Sequence, residues 1–191
     1  MIKAVLFDYF GVLYPDTFWS LANLYVPERD EELQQQMHDL IRRADSGLID
    51  QKEFWEEAAE LFHISRDELA KKLEAFDGVD QGLLSIIKAL RGKGMMTGII
   101  SNVGNDVVRY ALGDDVDLFD CLILSADSGV MKPDPRAYEM ALAQLQLEAE
   151  ECLFVDDIDR NVIGAEEVGM QAIHYTGLKD FQEQLAKIVK I

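Results

Sequence analysis

The chain has 191 residues, of which 49% are hydrophobic and 28% are charged, and its formal net charge is -18. This length suffices for one α/β domain with an insertion but not for two full-sized domains, and the balance of apolar and charged residues argues against disorder. Because no basic stretch offsets the negative charge, we expect neither nucleic acid nor an anionic membrane surface as a partner.

The cysteines and the N-terminal sequence bear on the cellular compartment. Cys121 and Cys152 lie in apolar runs, which predicts buried thiols rather than a disulfide framework or a metal site. The sequence lacks a basic region followed by an apolar stretch and a cleavage site, and no window is long and apolar enough to cross a bilayer. We therefore expect a reducing, cytoplasmic location.

Short apolar runs along the chain predict parallel strands separated by helices. The predicted strands are residues 4–7, 97–100, 121–124 and 152–155, with residues 172–174 as a possible fifth. Helical spacing of apolar residues predicts helices at residues 88–94, 106–112 and 136–145. This alternation predicts an α/β fold with a doubly wound, Rossmann-like parallel sheet and right-handed crossovers.

The segment after the first predicted strand has a different pattern. Apolar residues recur at helical intervals at residues 18–24, 33–41, 54–62 and 69–76, which predicts a helical insertion. Asp50 and Ser65 are predicted N-caps, with Glu53 and Glu68 completing capping boxes. We therefore expect a core domain of residues 1–13 and 81–191 and a small helical domain of residues 14–80.

Aromatic residues of the insertion have two interpretations. Trp19, Phe54, Trp55 and Phe62 are predicted to form its hydrophobic core, with direct substrate contact as the alternative. The three histidines, His38, His63 and His174, have no companion ligands in the sequence, so a structural or exposed role is predicted for them.

Polar residues follow four of the predicted strands, at the edge where open α/β sheets bind ligands. Asp8 ends the first strand, and Ser101-Asn102 follows the second, where it can present a hydroxyl and backbone N–H groups to an anion or simply begin a helix. Lys132 lies beside Pro133 in a loop that would hold it in a defined place, although a lone lysine is usually a surface residue.

The fourth strand end carries the adjacent carboxylates Asp156 and Asp157. Together with Asp8 they would repel one another unless a cation lies between them, and Mg²⁺ prefers such oxygen ligands. Lys132 could neutralise the remaining charge. The alternative is that Asp157 or Asp159 caps the following helix, which is compatible with metal binding.

In their order, these motifs resemble the haloacid dehalogenase superfamily of aspartate-nucleophile hydrolases. The matching motifs are Asp8-Tyr9-Phe10-Gly11-Val12-Leu13, Ser101-Asn102, Lys132-Pro133, and Asp156-Asp157 with Asn161. The helical insertion resembles the family's C1 cap. The pattern is most similar to phosphatases near the amino-terminal phosphatase domain of soluble epoxide hydrolases.

The resemblance implies a Mg²⁺-dependent phosphatase in which Asp8 attacks phosphorus and forms an aspartyl-phosphate. It implies that the metal is held by Asp8, the backbone carbonyl of Phe10 and Asp157. Asp156 would be either a further ligand or a residue that contacts the ligands without touching the metal. It implies that Ser101 and the N–H of Asn102 bind phosphoryl oxygens and that Lys132 offsets charge. The substrate would be a small phosphorylated molecule. Both a monomeric and a homodimeric protein are compatible with the sequence.

Phe10 is the departure from the pattern. The family's phosphatases have a second Asp there as general acid and base, a role typically worth about 10² to 10⁴ in rate, and a phenyl ring carries no proton. Three hypotheses follow: a phosphatase that is slow or restricted in its leaving group, a metal-independent 2-haloacid dehalogenase, and a non-catalytic protein that binds a phospho-ligand or metal. The dehalogenase ranks lower than the phosphatase because such enzymes do not need Asp156 and Asp157.

Substrate identity would depend on residues of the insertion. Tyr14, Asp16, Trp19 and either Arg42 or Arg43 are possible substrate contacts, with a structural or solvated role as the alternative for each.

Overall fold

The computed structural model describes residues 1–26, 30–73 and 78–189. Its strands are β1 (Ala4–Phe7), β2 (Met96–Ser101), β3 (Cys121–Leu124), β4 (Cys152–Asp156) and β5 (Gln171–His174). They pair in parallel in the order β3-β2-β1-β4-β5, which confirms the predicted doubly wound sheet. Strand β1 is central, between β2 and β4, and the strand order reverses beside it.

Ten α-helices are present among the described residues. They are α1 (Thr17–Tyr25), α2 (Glu31–Asp45), α3 (Gln51–Leu61), α4 (Arg66–Leu73), α5 (Gln81–Gly92), α6 (Asn105–Leu112), α7 (Ser125–Ser128), α8 (Pro135–Leu145), α9 (Asp159–Val168) and α10 (Leu178–Ile188). Each predicted helix overlaps one of them, but α5 begins at Gln81 rather than at residue 88, because Asp80 caps it by accepting the Leu83 N–H. Phe76, the predicted end of the fourth helix, lies outside the described residues. None of the described helices is long and apolar enough to span a membrane.

The sheet is covered on both faces, which is why its strands are runs of apolar residues rather than alternating ones. Val5 and Phe7 of β1 belong to a cluster with residues of α5, α6 and α10, while Leu6 belongs to a second cluster with residues of α8 and α9. Cys121 and Cys152 are free and buried, as predicted, and burial raises the pKa of both thiols.

Helices α1 to α4 form a hydrophobic cluster of their own, which we call the insertion cluster. It contains the buried Phe62, while Trp19, Phe54 and Trp55 are half-buried against it. A separate cluster is what an independent small domain needs, and the proposed division at residues 14–80 stays a prediction.

The two predicted capping boxes have different outcomes. Asp50 and Glu53 form the complete box at the start of α3. Ser65 accepts the Glu68 N–H at 3.2 Å, as an N-cap does, but the Glu68 carboxylate accepts from the Tyr25 hydroxyl at 3.2 Å instead. The second box is therefore half-formed, because a hydroxyl distant in sequence takes the carboxylate.

The end of α2 contacts the core at α7. The Ser125 hydroxyl donates to the backbone carbonyl of Asp45, the last residue of α2. At Gly47, where φ is +71°, an added Cβ would lie 3.0 Å from the Cβ of Ala126, so only a residue without a side chain fits closely there. This contact brings the last turn of α2 against the carboxyl ends of the strands.

Candidate active site

Three carboxylates meet beyond β1 and β4. Because these strands are neighbours in parallel register, with Phe7 opposite Val155, the residues that follow them lie side by side. Asp8, Asp156 and Asp157 each place an oxygen within 4.8 Å of the others, and Asp8 and Asp156 are buried. The structure thus brings together the three acids that the sequence predicted to converge.

Lys132 is the cation that faces this cluster. Its buried ammonium lies 2.8 Å from Asp8 Oδ1 and 2.5 Å from Asp156 Oδ2. The side chain of Asn102 fixes the loop that carries it, because its amide donates to the Lys132 carbonyl at 3.1 Å and its oxygen accepts the Lys132 N–H at 2.7 Å. Holding Lys132 is a role for Asn102 that the sequence did not reveal.

Asp156 is saturated with hydrogen bonds. Besides Lys132, it accepts the Ile158 N–H at 2.8 Å, and the Asn161 amide lies 3.1 Å from both of its oxygens. Its side chain is fully buried. These contacts hold the Asp156 carboxylate in a fixed position against Lys132.

The carboxylate of Asp157 has fewer hydrogen-bond partners than that of Asp156. Its buried Oδ1 has no hydrogen-bond partner among the described residues. Its carboxylate lies directly against Gly11, where φ is +80° and a Cβ would collide with it, so the turn after Asp8 needs glycine at this position. Burial, and next the charge of Asp8, raise the pKa of Asp156 and of Asp157 to about 6.

The alternative that Asp157 or Asp159 caps α9 is not what the structure shows. The N-cap is Ile158, whose side chain makes no capping bond. Asp159 instead lies 3.0 Å from His174 Nδ1, and His174 Nε2 is 2.9 Å from the Asp157 carbonyl oxygen. His174 is thus an exposed residue bridging the start of α9, in line with its predicted structural role.

The turn after Asp8 carries the ring that replaces the second acid. Asp8 Oδ1 accepts the Tyr9 N–H at 2.7 Å, and the Tyr9 carbonyl accepts from Leu13 and Tyr14. Phe10 packs edge-on against the rings of Tyr9 and Tyr14, with centroids 4.9 and 6.0 Å away. The side chain at position ten is therefore held by aromatic contacts and offers no proton.

A cavity of about 1140 Å³ lies over these residues. Asp8, Ser101, Asn102, Lys132 and Asp157 line its floor. The part of its lining that comes from the insertion is largely apolar and includes Phe18, Trp19, Ile41, Ile49, Phe54 and Trp55. The charged motif residues of the core thus face a wall of the insertion that is mostly apolar.

The candidate substrate contacts of the insertion divide into two groups. Tyr14, Asp16 and Trp19 line the cavity. Arg42 and Arg43 do not, because Arg42 pairs with Asp39 and both guanidinium ends of Arg43 lie 2.7 Å from the Glu57 carboxylate. For the two arginines the structure shows the alternative, a structural role in ion pairs on the surface of α2 and α3.

Several charged residues of the cavity were not found from the sequence. Among them are Asp45 at the end of α2 and Arg160 in α9. Burial, and next the charge of Asp8, raise the pKa of Asp45 to about 7. A carboxylate beside two arginines at a helix end has the sequence pattern of a solvated surface, so no local signal marked it.

The family follows from comparison with known proteins. The sequence model of the haloacid dehalogenase-like hydrolases matches residues 2–169. The chain belongs to this family. It is a haloacid dehalogenase-like hydrolase whose motif residues are the ones that meet at the carboxyl ends of β1, β2 and β4.

Relatives within the family include phosphatases. The sesquiterpene phosphatase astK of Aspergillus oryzae is 29% identical over 184 residues, which cover 91% of this chain and 90% of that protein. Bifunctional epoxide hydrolase 2 of Rattus norvegicus is 28% identical over 132 residues, which cover 66% of this chain but only 24% of that protein. The resemblance to epoxide hydrolases seen in the motifs is confirmed.

Solved structures share the fold. A family enzyme of Bacteroides thetaiotaomicron in complex with magnesium and inorganic phosphate superimposes with a TM-score of 0.68 at 20% identity, over 91% of this chain and 93% of that one. At this identity the similarity shows the common fold, including a parallel sheet with helices on both faces.

Charge repulsion in the metal-free cluster generates a testable prediction. Because the pKa of Asp157 is raised to about 6, the stability associated with this group is fully present below the ordinary pKa of an aspartate, about 4, and is lost as the pH rises from there through about 6. We expect Asp157→Asn to stabilise the metal-free protein at pH 7.5 by about 1 kcal/mol, discounted for partial exposure, and to have little effect at pH 3.5. Urea unfolding in chelator measures this, with the exposed Asp117→Asn as control; equal effects of Asp157→Asn at both pH values would contradict it.

Proposed function

We propose that this hydrolase is a Mg²⁺-dependent phosphatase that forms an aspartyl-phosphate on Asp8 and acts on a phosphate monoester. The observation that carries the proposal is the meeting of three carboxylates against a single lysine ammonium, beside Ser101 at the floor of a cavity. Such a cluster has surplus negative charge that a divalent cation would neutralise. The phosphatases among the relatives support the same reaction class.

The residues present fit a magnesium ion. Asp157 supports this most directly, because its unpartnered Oδ1 belongs to a cluster of oxygen donors, which Mg²⁺ prefers. In this proposal Asp8, Asp157 and the backbone carbonyl of Phe10 hold the ion, and Asp156 stays behind them as the anchor of Lys132. When bound, the cation would neutralise and orient the phosphoryl group.

The phosphoryl group would lie above Asp8. The Ser101 hydroxyl and the Asn102 N–H, at the end of β2, would donate to its oxygens, and Lys132 would offset charge on it and on Asp8. The Asn102 side chain keeps Lys132 in position for this through its two bonds to the Lys132 backbone. Asp8, whose orientation is fixed by Lys132 and the Tyr9 N–H, then attacks phosphorus as the bond to the leaving oxygen breaks.

The apolar wall of the cavity favours a substrate with an apolar body. Half-buried Trp19, Phe54 and Trp55 expose ring surface to the space above the site. Burial of apolar substrate against these rings would contribute roughly 25 cal/mol for each Å² removed from water. The relative named a sesquiterpene phosphatase supports a phosphorylated substrate of this kind.

Turnover with and without Mg²⁺ tests the proposal. We expect Mg²⁺-dependent phosphate release from acetyl phosphate and, more slowly, from hexyl phosphate, with a preference for hexyl phosphate over glycerol phosphate because of the apolar wall. Asp8→Asn should lower each rate by at least about 10³, since the nucleophile is lost. Chloride release from 2-chloropropionate in chelator would instead support a dehalogenase, and phosphate or metal binding without turnover would support a binding protein.

Phe10→Asp tests whether position ten limits the reaction. Installing a carboxyl there should raise the rate on hexyl phosphate, whose leaving group needs a proton, by about tenfold and change the rate on acetyl phosphate much less. The matched control is Phe10→Asn, which has a similar shape and cannot donate from a carboxyl. Equal gains on both substrates, or an equal gain from the amide, would show that a carboxyl at position ten does not act as an acid toward the leaving group.

A further inference from the structure

We propose that Asp45, on the insertion, is the general acid and base of this enzyme. It would fill the role that Phe10 cannot, because a phenyl ring carries no proton to donate. The inference rests on the proposed phosphatase function. It assigns to the last residue of α2 a catalytic role that the motifs of the family do not contain.

The first argument is the position of Asp45. Its backbone carbonyl accepts from the Ser125 hydroxyl of α7, and the close approach of Gly47 to Ala126 reinforces this contact between insertion and core. The helix end is thereby fixed at the carboxyl ends of the strands, and Asp45 lines the same cavity as Asp8 and Lys132. Because the attacking and leaving oxygens lie roughly in line at phosphorus, the leaving oxygen would be opposite Asp8, toward the part of the cavity lining that the insertion contributes.

The second argument is the surroundings of the carboxyl group. Asp45 is half-buried, and the charges that act on it are Asp8 and Asp16, which favour its neutral form, and Lys132 and Arg160, which favour its ionised form. Burial is the largest influence, and the resulting pKa of about 7 lets the group both donate and accept a proton near neutral pH.

Asp16 and Asp50 are the other carboxyls of the insertion that line this cavity among the described residues, and both are less suited to the role. Asp16 caps α1, since its Oδ1 accepts the Trp19 N–H at 3.2 Å. Asp50 caps α3, since its Oδ1 accepts the Glu53 N–H at 2.8 Å. In the part of the chain that the structure describes, the Asp45 carboxyl accepts no such bond and is free to turn toward a substrate. A carboxyl that caps a helix would have to give up its capping hydrogen bond in order to donate a proton to a substrate.

With Asp45 alone as acid and base, every proton transferred in the reaction is accounted for. As the Asp8 oxygen bonds to phosphorus and the ester P–O bond breaks, the Asp45 carboxyl gives its proton to the departing alkoxide, which leaves as an alcohol. The Asp45 carboxylate then takes a proton from water while the water oxygen bonds to phosphorus and the bond between phosphorus and Asp8 breaks. Phosphate is released, and both aspartates return to their starting states.

The test compares two leaving groups in the full-length protein with Mg²⁺. We expect Asp45→Asn to lower kcat/KM for hexyl phosphate about 10²-fold and for acetyl phosphate less than threefold, because only the alkoxide needs a proton. The control Asp127→Asn removes an exposed carboxylate of the same cavity and should leave the ratio of the two rates unchanged. The acetyl phosphate rate also reports that the variant is folded.

Two further readouts separate proton transfer from a structural role. The wild-type kcat/KM for hexyl phosphate should fall as the pH rises through the pKa of Asp45, and Asp45→Asn should lack this fall. Phe10→Asp should restore activity to Asp45→Asn by a larger factor than it raises wild-type activity, because the two carboxyls do the same work.

Equal losses on both substrates, or no restoration by Phe10→Asp, would overturn the role of Asp45 while leaving the phosphatase intact. A wild-type protein without Mg²⁺-dependent phosphate release from either substrate would overturn the proposed function itself, and the role of Asp45 with it.

Discussion

The ion pairs of Lys132 with Asp8 and Asp156 are the interaction on which the site depends. One buried ammonium faces three carboxylates, and it reaches two of them only because β1 and β4 are neighbours and Asn102 clamps the lysine loop. Removing one partner of a buried pair leaves an uncompensated charge, so each member holds the others in place. The charge that remains, centred on Asp157, is the charge that the proposed cation would neutralise.

The insertion completes what the core leaves open. The core orients Asp8 but carries Phe10 where a proton donor would be useful, and the helices above it supply an apolar wall and the carboxyl of Asp45. The contact of α2 with Ser125 ties these parts together, because the Ser125 hydroxyl of the core donates to the backbone carbonyl of Asp45 on the insertion. In the proposed function, both parts of the chain would therefore contribute to the chemistry, and the insertion would also select the substrate.

The features that the sequence predicted are those set by local pattern. Apolar runs gave the strands, and the carboxyl ends of parallel strands meet at one edge, so Asp8, Lys132 and the Asp156-Asp157 pair converge as expected. The features that were missed depend on tertiary contacts. Whether Arg43 or Asp45 turns toward the cavity depends on which side of α2 contacts α7. The hydrogen bonds of the Asn102 side chain to the Lys132 backbone likewise join residues that are far apart in the chain.

The central claim is that the carboxylate cluster takes up a divalent cation, and calorimetric titration of the metal-free protein with magnesium tests it most directly. Repeating the titration in buffers of different ionisation enthalpy gives the number of protons released. The account predicts one ion per chain and a larger proton release at pH 6 than at pH 8, because the raised pKa values of Asp156 and Asp157 leave protons to be displaced. No saturable binding, or a proton release that is the same at both pH values, would contradict it.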